Sequence, residues 1–176
     1  MKSVLIIYKS KTGFTKKYAN WILEDVACNV ATFDKVKKED IDKHNIIVYG
    51  AGVHAGLIPG LKKIKKLVNF NDKKVLIFAT GAAPNADEIV KPVIENNLAD
   101  CISKVDFFYF ESGINYENMG FFSRGLMKTF SKILNAKKDK TDAEKEMSTM
   151  IMTSYDNSKK EYVKPLTELL KEYQGK

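Results

Sequence analysis

Five short apolar runs divide this chain, and the stretches between several of them have helical rather than continuous hydrophobic spacing. The first run is Ser3 to Tyr8 (SVLIIY), which ends in the turn-rich Lys9-Ser10-Lys11-Thr12-Gly13. A short continuous run rich in β-branched residues is the pattern of a strand covered on both faces, as inside a parallel sheet. Asn29 to Phe33, Asn45 to Tyr49 (NIIVY), Lys74 to Ala79 (KVLIFA) and Val105 to Phe110 (VDFFYF) repeat it. Between the first two, Tyr18, Trp21, Ile22 and Val26 recur at helical spacing from Phe14 onward. The acidic stretch near Asp40 and Asp42 reads as a connector. After the glycine-rich loop from Gly50 to Gly60, Pro59 opens a helix through Leu61, Ile64, Leu67 and Val68. Asp87 starts another through Ile89, Val93 and Ile94. Strands alternating with helices need crossover connections, which cover both faces of the sheet. The expected fold is therefore α/β, a doubly wound five-stranded parallel sheet with helices on both faces. Such sheets bind ligands at the carboxyl ends of their strands, where the strand order reverses. The loops after the first, third and fourth strands are the expected seat of function.

The whole chain, 176 residues, reads as a single domain. Its 44 % of hydrophobic residues suffices for a core and excludes intrinsic disorder. No run of about twenty apolar residues suggests a membrane span. The N-terminal apolar stretch breaks after Tyr8, too early for a signal peptide, so a cytoplasmic protein is expected. Cys28 and Cys101 cannot make a disulfide framework and read as small core residues. His44 and His54 are the only histidines, and no spacing suggests a metal site. The formal charge of +7 permits nucleic acid, a membrane surface or an acidic small molecule as partner, without choosing among them.

In the last third, Glu111 to Gly120 reads as a loop and Phe121 to Leu134 as a helix, with Phe122, Leu126, Phe130 and Ile133 on one face. Asn135 to Asp142 is a charged connector. Thr141 and Glu144 form a capping box for a helix through Met152. Asp156-Asn157-Ser158 offers a cap for a final helix carrying Tyr162, Leu166, Leu169 and Leu170.

The stretch Ser10-Lys11-Thr12-Gly13-Phe14-Thr15 carries the chemistry. It joins a buried strand to a helix N-terminus, where a phosphate meets unpaired backbone N–H groups and the positive end of the helix dipole. Ser10, Thr12 and Thr15 add hydroxyls, and Gly13 lets the backbone approach closely. A plain helix cap explains one such hydroxyl, but three with a glycine directly after the first strand favour a phosphate. Other readings fail on residues. Gly50, Gly52 and Gly56 do not have the dinucleotide spacing, and no GxxxxGK[ST] run exists. Lys9 stands where a receiver domain needs a carboxylate. Neither cysteine precedes an arginine at the spacing of a phosphatase loop.

The S-x-T-G-x-T loop in this position resembles the phosphate loop of flavodoxins, which hold flavin mononucleotide (FMN). The strand and helix succession agrees over most of the chain. The resemblance implies that the ring is held by Ala51, Gly52, Val53, His54 and Ala55 after the third strand, and by Thr80, Gly81 and Ala82 after the fourth. These two loops contain no aromatic beyond His54, where short flavodoxins place Trp or Tyr. Gly113-Ile114-Asn115-Tyr116, then Phe121-Phe122-x-Arg124 and Met127-Lys128, is similar to the menaquinone-dependent protoporphyrinogen dehydrogenase branch of flavodoxin-domain proteins. That adds Gly113 and Tyr116 to the expected flavin site. It implies an FMN-dependent oxidoreductase with a porphyrinogen, a quinone or a redox protein as partner, and the alternative is a plain electron carrier. A basic nucleic-acid module is a third reading. It is disfavoured because the lysines are dispersed and lack interleaved exposed aromatics, so no nucleic acid is expected. Several residues stay open between two roles. His54 is a flavin contact or an exposed loop residue, and Tyr116 is a flavin cover or a packed loop tyrosine. Arg124, the only arginine, is an anion-binding fork or a surface charge. The Phe122–Leu126–Phe130 face is buried, or else exposed beside Lys128, Lys132, Lys137 and Lys138 as a peripheral membrane contact.

Overall fold

Each apolar run sends alternate side chains to opposite faces of one sheet. In the computed structural model, which describes residues 1–139 and 153–175, Val4–Lys9 is β1, Asn29–Thr32 β2, Ile46–Gly52 β3, Lys74–Gly81 β4 and Val105–Glu111 β5. All pair in parallel in the order β2-β1-β3-β4-β5. Leu5 and Ile7 join Ile47, Tyr49, Val75 and Ile77 in one core, and Val4 and Ile6 join Ile46, Val48, Leu76 and Phe78 in the other. This period of two in a fully covered sheet is why the runs look continuously apolar.

Helices α1 (Phe14–Asp25), α2 (Lys38–Asp42), α3 (Leu61–Leu67) and α4 (Asp87–Leu98) supply the crossovers. Tyr18, Ala19 and Ile22 of α1 cover one face, together with Leu166 and Leu170 of the C-terminal α6 (Lys164–Gly175). Ile41 of α2, Leu61 and Ile64 of α3, and Val93 and Leu98 of α4 cover the other. The chain leaves β1 in one direction to reach β2 and crosses back to reach β3. The order therefore reverses between β1 and β3, and a crevice opens at their carboxyl ends.

The structure differs from the sequence expectation at element ends. The Asp40–Asp42 stretch is helical: the Asp40 carboxylate accepts the Lys37 N–H at 3.0 Å and Ile41 is buried. The third, fourth and fifth strands run on to Gly52, Gly81 and Glu111, because Gly52 pairs with Thr80 and Gly81 with Glu111. Asp156 does not cap a helix. Tyr155–Asp156 (β7) pairs antiparallel with Gly113–Ile114 (β6), and a short 3-10 turn, Lys160–Val163, leads into α6. Helix α5 spans Phe121–Ala136, two residues beyond the expected end. The helix expected from Thr141 and Glu144 through Met152 lies outside the described residues, as do the side chains of Phe122, Leu126 and Phe130. Cys101 is buried and Cys28 half-buried, both as free thiols, and burial lifts the Cys28 thiol to about 11. Among the described residues no helix is long and apolar enough to cross a membrane.

Candidate functional site

The loop after β1 is shaped to present backbone N–H groups. Ser10 Oγ accepts the Gly13 N–H at 3.2 Å, and Gly13 takes φ 100° before α1 begins. A side chain there would meet nothing within 4 Å, so the backbone angle alone favours glycine. The first satisfied donor of α1 is the Lys17 N–H, which reaches Gly13 O at 3.0 Å. The N–H groups of Phe14, Thr15 and Lys16 find no acceptor among the described residues. They point out of the helix with its positive dipole end behind them. Thr15 is buried, and its hydroxyl lies 2.9 Å from that of Thr80 at the end of β4. One hydrogen joins the two oxygens, which leaves the other for a further acceptor.

The loops after β3 and β4 form the adjoining walls. Val53 N–H donates to Thr80 O at 2.8 Å, which fixes one loop to the other. His54 and Leu57 exchange backbone bonds at 2.9 and 3.0 Å around Ala55 (φ 49°) and Gly56 (φ 75°). Two consecutive positive φ angles give a tight primed turn. Tyr109 donates to Ala83 O at 3.0 Å and Tyr155 to Ala82 O at 3.2 Å. Burial, then the Glu111 carboxylate and the neighbouring Tyr155 phenol, pushes Tyr109 up to about 12. Burial and Glu111 raise Tyr155 as well. Both phenols therefore stay protonated donors and hold the segment after β4 in place.

A third wall comes from beyond β5. Ser112 N–H donates to Gly81 O at 2.7 Å, and Asn115 Nδ2 donates to Thr12 O at 3.2 Å. Lys17 binds Asp156 of β7 at 2.7 Å. Burial works against the Asp156 charge, but hydrogen bonds from Lys17 and Ser158 outweigh it and hold the carboxyl below its usual range. The walls enclose a cleft of about 340 Å³ at the point where the strand order reverses.

Residues 5–143 match the flavodoxin domain. The chain belongs to that family. A protein of Methanocaldococcus jannaschii is 28 % identical over 109 residues, covering 58 % of this chain and 67 % of its own. A flavoprotein from Lactobacillus acidophilus, solved in complex with FMN, shows 19 % identity over 63 % of this chain and 93 % of its own, with a TM-score of 0.46. A flavodoxin from Bacillus cereus shows 18 % identity over 62 % and 84 %, with a TM-score of 0.47.

In this flavodoxin domain, Lys11, Thr12, Phe14 and Thr15 line the cleft from the first loop. Gly52 to Ala55 line it from the second, Thr80 to Ala82 from the fourth strand, and Gly113 from β6. Four expected residues do not line it. Ser10 shapes the turn from behind, and Gly13 is exposed. Ala51 is fully buried inside β3 and packs into the core. Tyr116 turns toward Arg124, whose guanidinium lies 5.5 Å from its ring centre. The sequence reading missed Met119 and Met127, which line the cleft from the loop after β6 and from α5. Ser112, Ile114 and Pro59 were missed too. No periodicity marks Ser112, Ile114, Met119 or Met127, because they reach the cleft only through the segments that follow β5.

FMN is the group that flavodoxin domains hold, and the residues present fit it. The start of α1 offers three free N–H groups, with the Thr12 and Thr15 hydroxyls beside them, to a phosphate. Val53, Ile114, Met119 and Met127 add apolar lining for the ring system. The volume lies within the range of small-molecule sites. Phe14 and His54 are the aromatic side chains that line it.

Proposed function

We propose that this chain holds FMN in the cleft and transfers electrons through it. The observation that carries the reading is the free N–H trio of Phe14, Thr15 and Lys16 at the start of α1, where Phe14 and Thr15 line the cleft. Those groups bind the phosphate, and Thr12 and Thr15 add hydroxyl donors. Val53, Ile114 and the two methionines keep water from the ring, while backbone groups of the two loops orient it. Bound FMN supplies one- and two-electron chemistry. The test is the purified protein itself. It is expected to be yellow, and the flavin released on denaturation is expected to be FMN. A colourless protein that takes up no FMN on titration overturns the reading.

The finer proposal is a lipid-soluble or porphyrinogen-type partner that meets the cleft beside α5. Its support is the sequence resemblance at Gly113–Tyr116 and Phe121–Lys128, together with the surface of α5. Phe121 is 95 % exposed, Ile133 is exposed, and so are Lys128, Lys132, Lys137 and Lys138. No acidic residue occurs from Phe121 to Lys138. Each lysine near an anionic bilayer contributes about 1 kcal/mol, an attraction that salt screens. The Lys128→Glu/Lys132→Glu variant is therefore expected to lose at least roughly 30-fold in binding to vesicles containing phosphatidylserine. Phe121→Ser is expected to weaken it further. Wild-type protein that ignores such vesicles at low salt and turns over no porphyrinogen or quinone leaves the plain electron carrier as the reading.

A further inference from the structure

We infer that Arg124 is a positioning residue that holds a methionine wall against the flavin ring, an inference that rests on the FMN reading above. Arg124 is half-buried on the first turns of α5 rather than extended into solvent. Its Nε donates to Tyr116 O at 3.0 Å, a terminal nitrogen donates to Glu117 O, and its central carbon lies 5.5 Å from the Tyr116 ring centre. The same Tyr116 carbonyl accepts the Met119 N–H at 3.3 Å. One guanidinium thus fixes the loop that carries Met119 to the helix that carries Met127, and both methionines line the cleft.

The loop is tied at its other end to the phosphate site. Asn115 Oδ1 accepts the Asn118 N–H at 3.1 Å, while its Nδ2 donates to Thr12 O. The ring wall and the phosphate loop are therefore joined by a short chain of hydrogen bonds, in which Arg124 fixes the end remote from the phosphate. The planar fork suits this task, since two adjacent carbonyls need two donors in fixed geometry. A lysine offers one compact charge and no such fork. Methionine suits the wall because its unbranched thioether adapts to an aromatic face. The two loops that hold the ring lack Trp and Tyr, so these thioethers supply apolar contact there.

The test uses the full chain loaded with FMN. Arg124→Ala and Arg124→Lys are each expected to raise the Kd for FMN by about tenfold, the scale of one or two lost charged hydrogen bonds. Both are also expected to blur the fine structure of the visible flavin absorption, which sharpens in dry surroundings and broadens when water reaches the ring. Met127→Ala is expected to reproduce the spectral change, and Met127→Leu to preserve the wild-type bands. A folded Arg124→Ala protein with unchanged Kd and unchanged bands overturns the inference. So does a raised Kd with unchanged bands, which assigns Arg124 to the phosphate. If Arg124→Ala does not fold, the two Met127 variants decide: indistinguishable spectra from Ala and Leu overturn it. Failure of the FMN reading is separate, because the wild-type protein then takes up no flavin.

Discussion

Riboflavin is expected to bind about 10² to 10⁴ times more weakly than FMN. The two differ by the phosphate, for which the loop after β1 supplies the N–H groups of Phe14, Thr15 and Lys16. Two charge-assisted hydrogen bonds lost at about 1.5–3 kcal/mol each give about 3–6 kcal/mol, which is that range of Kd. Thr12→Ala and Thr15→Ala are each expected to cost about 1–3 kcal/mol toward FMN and little toward riboflavin. Thr15→Ala also removes the partner of the Thr80 hydroxyl, 2.9 Å away and buried. Its stability is therefore expected to fall where that of Thr12→Ala does not. Titration of the apoprotein with both flavins checks this, and equal affinities would remove the phosphate assignment.

Gly60→Ala is expected to destabilise the fold by about 2–5 kcal/mol. Gly60 has φ 88°, which costs a side-chain-bearing residue about 1–2 kcal/mol. A β-carbon there would also collide with the Tyr49 hydroxyl and come within 2.9 Å of the Phe33 ring. Tyr49 is fully buried, and its hydroxyl donates to Pro59 O at 2.5 Å, so it cannot move aside freely. Overpacking of this kind costs about 1–3 kcal/mol more. Gly13→Ala is the control. It has the same sign of φ but open space around the added carbon, so only the strain of about 1–2 kcal/mol is expected. Urea unfolding measures both through the midpoint at constant slope. A smaller effect at Gly60 than at Gly13 would refute the steric argument.

Much of the site was legible because two of its parts are local. The proposed phosphate loop is contiguous, from Ser10 to Thr15, and its position between an apolar run and a helical period is written in the sequence. The loops after β3 and β4 follow from the strand order expected of such alternation. Within those loops, the division between strand and loop was less legible. Gly50, Ala51 and Gly52 read as loop because glycine breaks the strand pattern. In the fold they continue β3, opposite Phe78, Ala79 and Thr80. The Phe78 ring occupies the space where a Gly50 side chain would stand, so that glycine answers a neighbouring strand rather than a turn. Ala51, assigned to the flavin, is part of the core for the same reason.

The sequence by itself determined the parallel sheet, its covering helices and the place of the turn proposed to bind the phosphate. Each follows from hydrophobic period or from backbone chemistry within a few consecutive residues. Tertiary structure alone decided the third wall. Gly113 pairs with Asp156 and Asn115 reaches Thr12, contacts that span 43 and 103 positions and leave no periodic trace. Sequence leaves Arg124 open between an anion-binding fork and a surface charge. Only when α5 packs beside the loop after β6 do two backbone carbonyls come within reach of its fork. Met119 and Met127 became lining residues in the same event. Local physics fixes where a phosphate can sit, whereas what covers the ring depends on which distant segments dock together.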